Sequence, residues 1–161
     1  QFTDKDNTLG VIYIVRDPRS ILSSLTNDLK QTTQQSSEII LTNQYLGKDN
    51  PNHCLTYLGS WKYHYNSWKI FNKFNRYCLI RYEDLIHDTE KNFLEILKFI
   101  SRMCKVRFSV DKNKLQNTLK TCDLVKIQEF EKKENSSMNK EIQTNLEKEL
   151  ENEMRELYYL K

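Results

Sequence analysis

A run of β-branched and aromatic residues, Val11-Ile12-Tyr13-Ile14-Val15, is followed at once by Arg16-Asp17-Pro18. Apolar residues then recur at helical spacing: Ile21, Leu22, Leu25 and Leu29. A strand with no charged position on either side is the mark of burial on both faces, as in a parallel sheet covered by helices. Asp17 is a good N-cap, and Pro18 suits the first helical position because its missing N–H costs nothing there. Within three residues the chain is therefore expected to turn from a buried strand into a helix.

Further along, Tyr77-Cys78-Leu79-Ile80-Arg81-Tyr82 reads as a second buried strand. Between the two strands, residues 30–55 form a long polar connection with a short helix near Glu38–Tyr45. A helix from about Tyr57 to Phe74 follows, with Leu58, Trp61, Tyr65 and Trp68 along one face. Asp88 or Thr89 can cap a helix striped by Phe93, Leu94, Leu97 and Ile100. Asp111 can start another through Leu115 and Leu119, and a further one is expected through Leu124, Ile127 and Phe130. The last stretch, Asn139 to Leu160, carries Ile142, Leu146, Leu150, Met154 and Leu157 on one side and a dense charged face opposite. Strands alternating with long helical connections argue for an α/β fold with parallel strands.

Composition removes several classes of function. At 161 residues the chain lies in the range of one domain, and 38% apolar residues suffice for a core. A net charge of +3 is too small to argue for nucleic acid. The longest apolar run, Gly10 to Val15, is far short of a membrane span, and no signal peptide is visible. Cys54, Cys78, Cys104 and Cys122 are widely spaced, with no C-x-x-C pair to suggest zinc or a redox dithiol, so reduced thiols and a cytoplasmic location are expected. Because the chain opens on Gln1, it is expected to start inside a longer protein.

The turn after the first strand carries the chemistry. A helix start presents unpaired N–H groups and the positive end of the dipole, and ligands collect at the carboxyl ends of parallel strands. Arg16 sits there, and its planar fork can hold a phosphate through two parallel charge-assisted hydrogen bonds. Ser24 follows two turns into the helix, where its hydroxyl can reach the same anion, whereas Ser20 and Ser23 point elsewhere. An ordinary ion pair at Arg16, with Asp17-Pro18 merely starting a helix, is the alternative.

The stretch from Tyr13 to Ser24 resembles the 3′-phosphate-binding motif of sulfotransferases, in which an Arg ends a central strand, an Asn/Asp-Pro-Arg/Lys turn follows, and a Ser lies eight residues beyond the Arg. Leu79-Ile80-Arg81-Tyr82-Glu83-Asp84-Leu85 is similar to that family's strand ending in Tyr-Glu-Asp-Leu. The pattern from Phe93 to Ile100 agrees as well, as does Gly59-Ser60-Trp61 with Trp68. The resemblance covers nearly the whole chain and implies one partial domain over 1–161, with an incomplete P-loop-like parallel sheet flanked by helices and a helical C-terminal portion. It implies 3′-phosphoadenosine 5′-phosphosulfate (PAPS) as cofactor, with Arg16 and Ser24 on its 3′-phosphate and Tyr82 against the adenine, and no metal. Trp61, His64 and Trp68 suit a core or an acceptor-pocket wall, and the isolated His53 and His64 do not read as a catalytic base.

Departures from the family pattern matter too. The family's N-terminal phosphate loop, whose Lys grips the 5′-phosphosulfate, has no counterpart here, and none of Gly10, Gly47 and Gly59 opens such a loop. No catalytic Lys or general base can be named. The family's Thr-Ser-Phe falls on Cys122-Asp123-Leu124, and Asn135-Ser136-Ser137-Met138 runs straight into Asn139-Lys140-Glu141 where a basic Gly-containing loop is expected, which suggests a loop missing near residue 138. The expected reaction is transfer of a sulfonate from PAPS to a hydroxyl or amine of a small-molecule or carbohydrate acceptor, this chain supplying the 3′-phosphate-binding part. A non-catalytic sulfotransferase-like binding module is the alternative. A P-loop kinase relative is weaker, since no acidic Mg²⁺ ligands are convincingly placed.

Overall fold

The structure is a computed structural model, and it describes residues 4–43, 45–46, 56–57, 59–121 and 139–161. The expected helix through Leu124, Ile127 and Phe130, and the junction near residue 138, lie outside the described residues. The chain divides into two compact units, Gln1–Arg16 with Trp68–Phe130 and Asp17–Ser67 with Glu131–Lys161.

The first unit is built on a parallel pair of strands, β1 (Val11–Val15) and a strand over Tyr77–Arg81 in register Val11↔Tyr77 to Val15↔Arg81. Parallel pairing needs a long crossover, and the 61 residues from Arg16 to Arg76 supply it. Along β1 burial alternates: Val11, Tyr13 and Val15 face the core while Ile12 and Ile14 stay 39% and 52% exposed. The expectation of a strand buried on both sides is thus corrected, because among the described residues only the side carrying Val11, Tyr13 and Val15 is covered. Leu79 on the second strand is exposed in the same way.

Tyr82, expected to end that strand, instead opens a helix. The chain after Arg81 runs through a short α-helix, Tyr82–His87, and then a long one, Thr89–Cys104, capped by the Asp88 carboxylate, which accepts from Lys91 N–H at 3.2 Å. Buried Asn92 joins the two, its side-chain amide donating to the carbonyls of Asp84 (2.9 Å) and Asp88 (2.8 Å). Each carbonyl also accepts a backbone N–H, Asp84 from Asp88 at 2.9 Å and Asp88 from Asn92 at 3.1 Å, so the amide adds a second bond that fixes the junction. Phe99 on the long helix reaches back to β1, where Gly10 makes room for it: a Cβ at residue 10 would sit 2.9 Å from the Phe99 ring and 3.0 Å from Met103 Cγ.

In the second unit, Leu22, Ile40, Leu146, Leu150 and Met154 form one buried cluster, with Ile21, Leu25, Leu41, Trp61, Ile142, Tyr159 and Leu160 packed around it. Numbered in chain order with those above, the helices are α1 (Pro18–Asp28), α2 (Thr33–Leu41), α3 (Trp61–Lys69), α4 (Tyr82–His87), α5 (Thr89–Cys104), α6 (Lys112–Thr121), α7 (Lys140–Glu149) and α8 (Glu151–Glu156). The strand over Tyr77–Arg81 is β4, since two short antiparallel segments, β2 (Tyr45–Leu46) and β3 (Thr56–Tyr57), precede it.

The polar connection holds α2 five residues earlier than expected. Its start is a capping box in which Thr32 and Gln35 satisfy each other's backbone N–H groups. Its serines are part of the core: Ser36 is fully buried, its hydroxyl 2.9 Å from Thr26 Oγ1 and accepting from Gln31 Nε2 at 3.0 Å. Helix α3 begins at Trp61, not at about Tyr57, because Gly59 turns the chain at φ +64° and the Ser60 hydroxyl accepts from Tyr63 N–H at 3.1 Å. The terminal helix is broken at Leu150 (φ −110°, ψ 13°) into α7 and α8, yet its stripe of Leu146, Leu150, Met154 and Leu157 stays buried throughout.

Helix ends share one device. At Lys30, Asn75, Lys105 and Tyr158 the backbone is left-handed, with φ from 50° to 60°. In each case this residue and the next donate back to the last turn, as when Lys30 N–H reaches the Asn27 carbonyl at 3.3 Å and Gln31 N–H that of Thr26 at 3.2 Å. Such closure ordinarily uses glycine, and a side chain there costs about 1–2 kcal/mol. Lys30→Gly is therefore expected to stabilise the chain by about 0.5–1 kcal/mol, after about 0.5–1 kcal/mol is subtracted for the freer unfolded glycine. Urea denaturation reads the gain as a higher midpoint at unchanged slope; an unchanged midpoint would mean that the lysine bears no strain there.

Candidate functional site

β1 and β4 run parallel, so their carboxyl ends lie side by side. Arg16 follows the end of β1, and Tyr82 follows the end of β4 as the first residue of α4. The Arg16 guanidinium carbon stands 4.8 Å from the centre of the Tyr82 ring. At that distance the cation lies over the negative face of the aromatic ring, an attraction of about 0.5–2 kcal/mol that also restrains both side chains. Two of the residues singled out from the sequence are thus brought together, a pairing that 65 intervening positions conceal.

Tyr82 is held by its neighbour. Arg81 donates from Nε to Asp84 Oδ2 and from Nη2 to Asp84 Oδ1, both at 2.8 Å, a fork-to-fork pair across the first turn of α4. The Arg81 hydrogen bonds hold the Asp84 carboxyl below its ordinary pKa. Carboxylates at Glu83 and Asp84 in that first turn also suit the positive end of the helix dipole. Nothing in the spacing of Arg81 and Asp84 advertises this brace except their place beside Tyr82.

Ser24 lies on α1 in the second unit, half-buried, its hydroxyl 3.5 Å from Asp28 Oδ2. The start of α1 is built as expected: the Asp17 carboxylate caps it, accepting from Arg19 N–H at 2.9 Å, with Pro18 in the first turn. Arg19 has a part that the sequence does not disclose. Its guanidinium clasps Asp17 (2.6–3.1 Å), reaches Glu147 at 3.0 Å and donates to the Tyr159 carbonyl at 3.0 Å. These hydrogen bonds, those to Asp17 foremost, raise its pKa further, so Arg19 is a structural cation tying α1 to α7 and the chain's end. Glu147 is held below its ordinary pKa by the Gln143 amide first and by Arg19 second.

The remaining singled-out groups fall into place as packing. Trp61 stacks on Tyr65 at 6.0 Å and Trp68 on Phe71 at 6.1 Å. Burial lowers the His64 pKa. Tyr13 stacks on Tyr77 at 6.1 Å, and burial pushes its hydroxyl up to about 12, so it stays protonated at neutral pH. Cys78 and Cys104 carry free thiols, the former shifted upward chiefly by burial and thus a poor nucleophile. His53, Cys54 and Cys122 lie outside the described residues, as does Gly47.

Among the described residues no group of three or more His, Cys, Asp or Glu is placed to hold a metal ion. No described helix is long and apolar enough to cross a membrane. The geometry offers a cation stacked on an aromatic ring at the carboxyl ends of two parallel strands, an arrangement suited to an anion attached to a flat ring.

Neither the curated proteins nor the solved structures yielded a match to this chain. The family described as the sulfotransferase domain matches residues 3–157, a span that takes in both strands, the Arg16 turn and the final helices. With that match across nearly its whole length, the α/β chain belongs to the sulfotransferase domain family, whose members are transferases.

Proposed function

We propose that this chain supplies the 3′-phosphate and adenine end of a PAPS site in a P-loop-like fold, for transfer of a sulfonate to a hydroxyl or amine of a small-molecule or carbohydrate acceptor. The observation that carries the proposal is the Arg16 guanidinium over the Tyr82 ring at the ends of parallel strands. When bound, PAPS provides an electrophilic sulfonate on a phosphoanhydride. The chain's own residues bind and orient. Arg16 pairs its fork with the dianionic 3′-phosphate, Ser24 donates its hydroxyl to the same group, and Tyr82 offers its ring to the adenine. Such contacts contribute affinity and alignment for an in-line displacement, and the proton transfer falls to groups that this chain does not identify.

The residues present fit one end of the cofactor only. Among the described residues, neither Gly10 nor Gly59 opens a lysine-bearing loop that could cradle the 5′-phosphosulfate. The second reading is a non-catalytic binding module with the family's fold.

Adenosine 3′,5′-bisphosphate is expected to bind at least tenfold more tightly than adenosine 5′-monophosphate, measured by calorimetric titration. The two ligands differ only in the 3′-phosphate, so equal affinities would reject the assignment of Arg16 and Ser24. A sulfonate-transfer assay on the same preparation separates the enzyme from the binding module.

A further inference from the structure

At the amino ends of β1 and β4 the first unit has a cavity of about 470 Å³. A five-residue strand, about 16 Å, separates this end from Arg16. Its size falls in the range of small-molecule sites. Leu9, Phe74 and Met103 form an apolar wall, and Arg76, Arg102 and Lys105 supply three cations with no carboxylate in the lining.

The wall is apolar surface left in water, since Leu9 is 60% and Phe74 45% exposed. Met103 is brought against the start of β1 because Gly10 has no side chain to keep it off. Two left-handed closures make the rim. Asn75 ends the 3₁₀ turn over Ile70–Phe74 and Lys105 ends α5. The Arg76 guanidinium is fixed by the carbonyls of Lys5 (2.8 Å) and Thr8 (3.2 Å), neither of which cancels its charge. Among the described residues, Arg102 and Lys105 form no ion pair.

Cations near helix ends ordinarily answer the negative end of the dipole. Here they exceed it. Each helix end is worth at most about half a negative charge, so two ends offset roughly one of three positive charges. Their carbonyls are in any case engaged by the closing backbone, as Ser101 is by Val106 N–H at 3.0 Å and Phe71 by Arg76 N–H at 3.1 Å. A surplus of about two positive charges beside an apolar wall calls for a dianion on an apolar body. A phosphate monoester carries about −1.5 to −2 at neutral pH, whereas a sulfate ester carries a single charge.

We propose that this cavity is a second anion site, which binds a phosphate monoester of an aromatic or aliphatic alcohol. Arg76, Arg102 and Lys105 hold the phosphate, and Leu9, Phe74 and Met103 cover the organic group. The test is calorimetric titration of 1-naphthyl phosphate into the Arg16→Ala chain, a background in which the site at the opposite strand ends does not contribute. One-to-one binding is expected, with inorganic phosphate, 1-naphthol and 1-naphthyl sulfate each at least tenfold weaker. Lys105→Gly keeps the left-handed closure while deleting a cation, and is expected to weaken binding at least threefold; adding Arg102→Gln should bring the loss to at least tenfold. Absence of binding in the Arg16→Ala chain would overturn the proposal. So would undiminished affinity in Lys105→Gly, which introduces the residue type that this left-handed backbone prefers and so removes the ammonium without disturbing the closure.

Discussion

Arg16→Ala is expected to weaken binding of adenosine 3′,5′-bisphosphate by about 2–4 kcal/mol, roughly 30- to 1000-fold. The magnitude follows from what the substitution leaves behind. A 3′-phosphate that has given up part of its hydration loses a bidentate cation, and its remaining oxygens keep the cost of desolvation. The half-exposed ends of the strands keep the loss below that of a fully buried charge. Part of the effect also comes from Tyr82, whose ring faces that guanidinium at 4.8 Å and is less restrained without it. Arg16→Lys should recover only a fraction, because an ammonium keeps the charge but lacks the planar fork. Calorimetric titration of parent and variants decides the matter: equal affinity for Arg16→Ala would remove Arg16 from the site. Adenosine 5′-monophosphate is the control, and its affinity should fall much less.

Leu22→Ala should cost about 3–4 kcal/mol in unfolding free energy. Leu22 is wholly buried in α1, enclosed by Ile40 of α2, Leu146 of α7, and Leu150 and Met154. Three helices converge on this side chain, so the space it leaves cannot be closed by the shift of any single one. The lost transfer energy is then joined by a cavity cost. Against a total stability of about 5–15 kcal/mol this is a large fraction. Ile12→Ala, on the uncovered face of β1, serves as comparison and should change stability by no more than about 0.5 kcal/mol. Urea denaturation of the two variants measures both. A loss below about 1 kcal/mol for Leu22→Ala would show that the cluster is not a cooperative core.

Binding and stability are thereby assigned to different parts of the chain. Arg16 is proposed to bind, and Arg19, three positions beyond it, serves the fold. Similar in charge and adjacent in sequence, Arg19 is absorbed by Asp17, Glu147 and the Tyr159 carbonyl, which hold α1 and α7 together. Arg16 follows the end of β1, whereas Arg19 lies in the first turn of α1.

Much was legible before any coordinates. Local chemistry specifies β1, since five β-branched or aromatic residues have few other options, and it specifies the start of α1, where Asp17 and Pro18 act within two residues of their own backbone. The same holds for Asp88, Asp111 and Asn139, each of which caps the helix that its position announces. Three motif segments in the right order also pointed to the family, and the family match over residues 3–157 agrees.

Other features were decided only when distant segments met. Whether Ile12 and Ile14 are buried depends on what covers them, and an unbroken apolar run does not say whether one face or both are covered. Helix ends at Lys30, Asn75, Lys105 and Tyr158 escaped notice because the left-handed turn, normally signalled by glycine, is imposed there on residues that disfavour it; the burial of neighbouring stripes outweighs a local cost of about 1–2 kcal/mol. Tyr82 changed from strand to helix because Arg81 and Asp84 lock that turn. The stacking of Arg16 on Tyr82 needs both strands paired in parallel register. Neighbours along the chain thus set the elements and their caps, while faces, closures and the meeting of cation and ring belong to contacts that no local stretch contains.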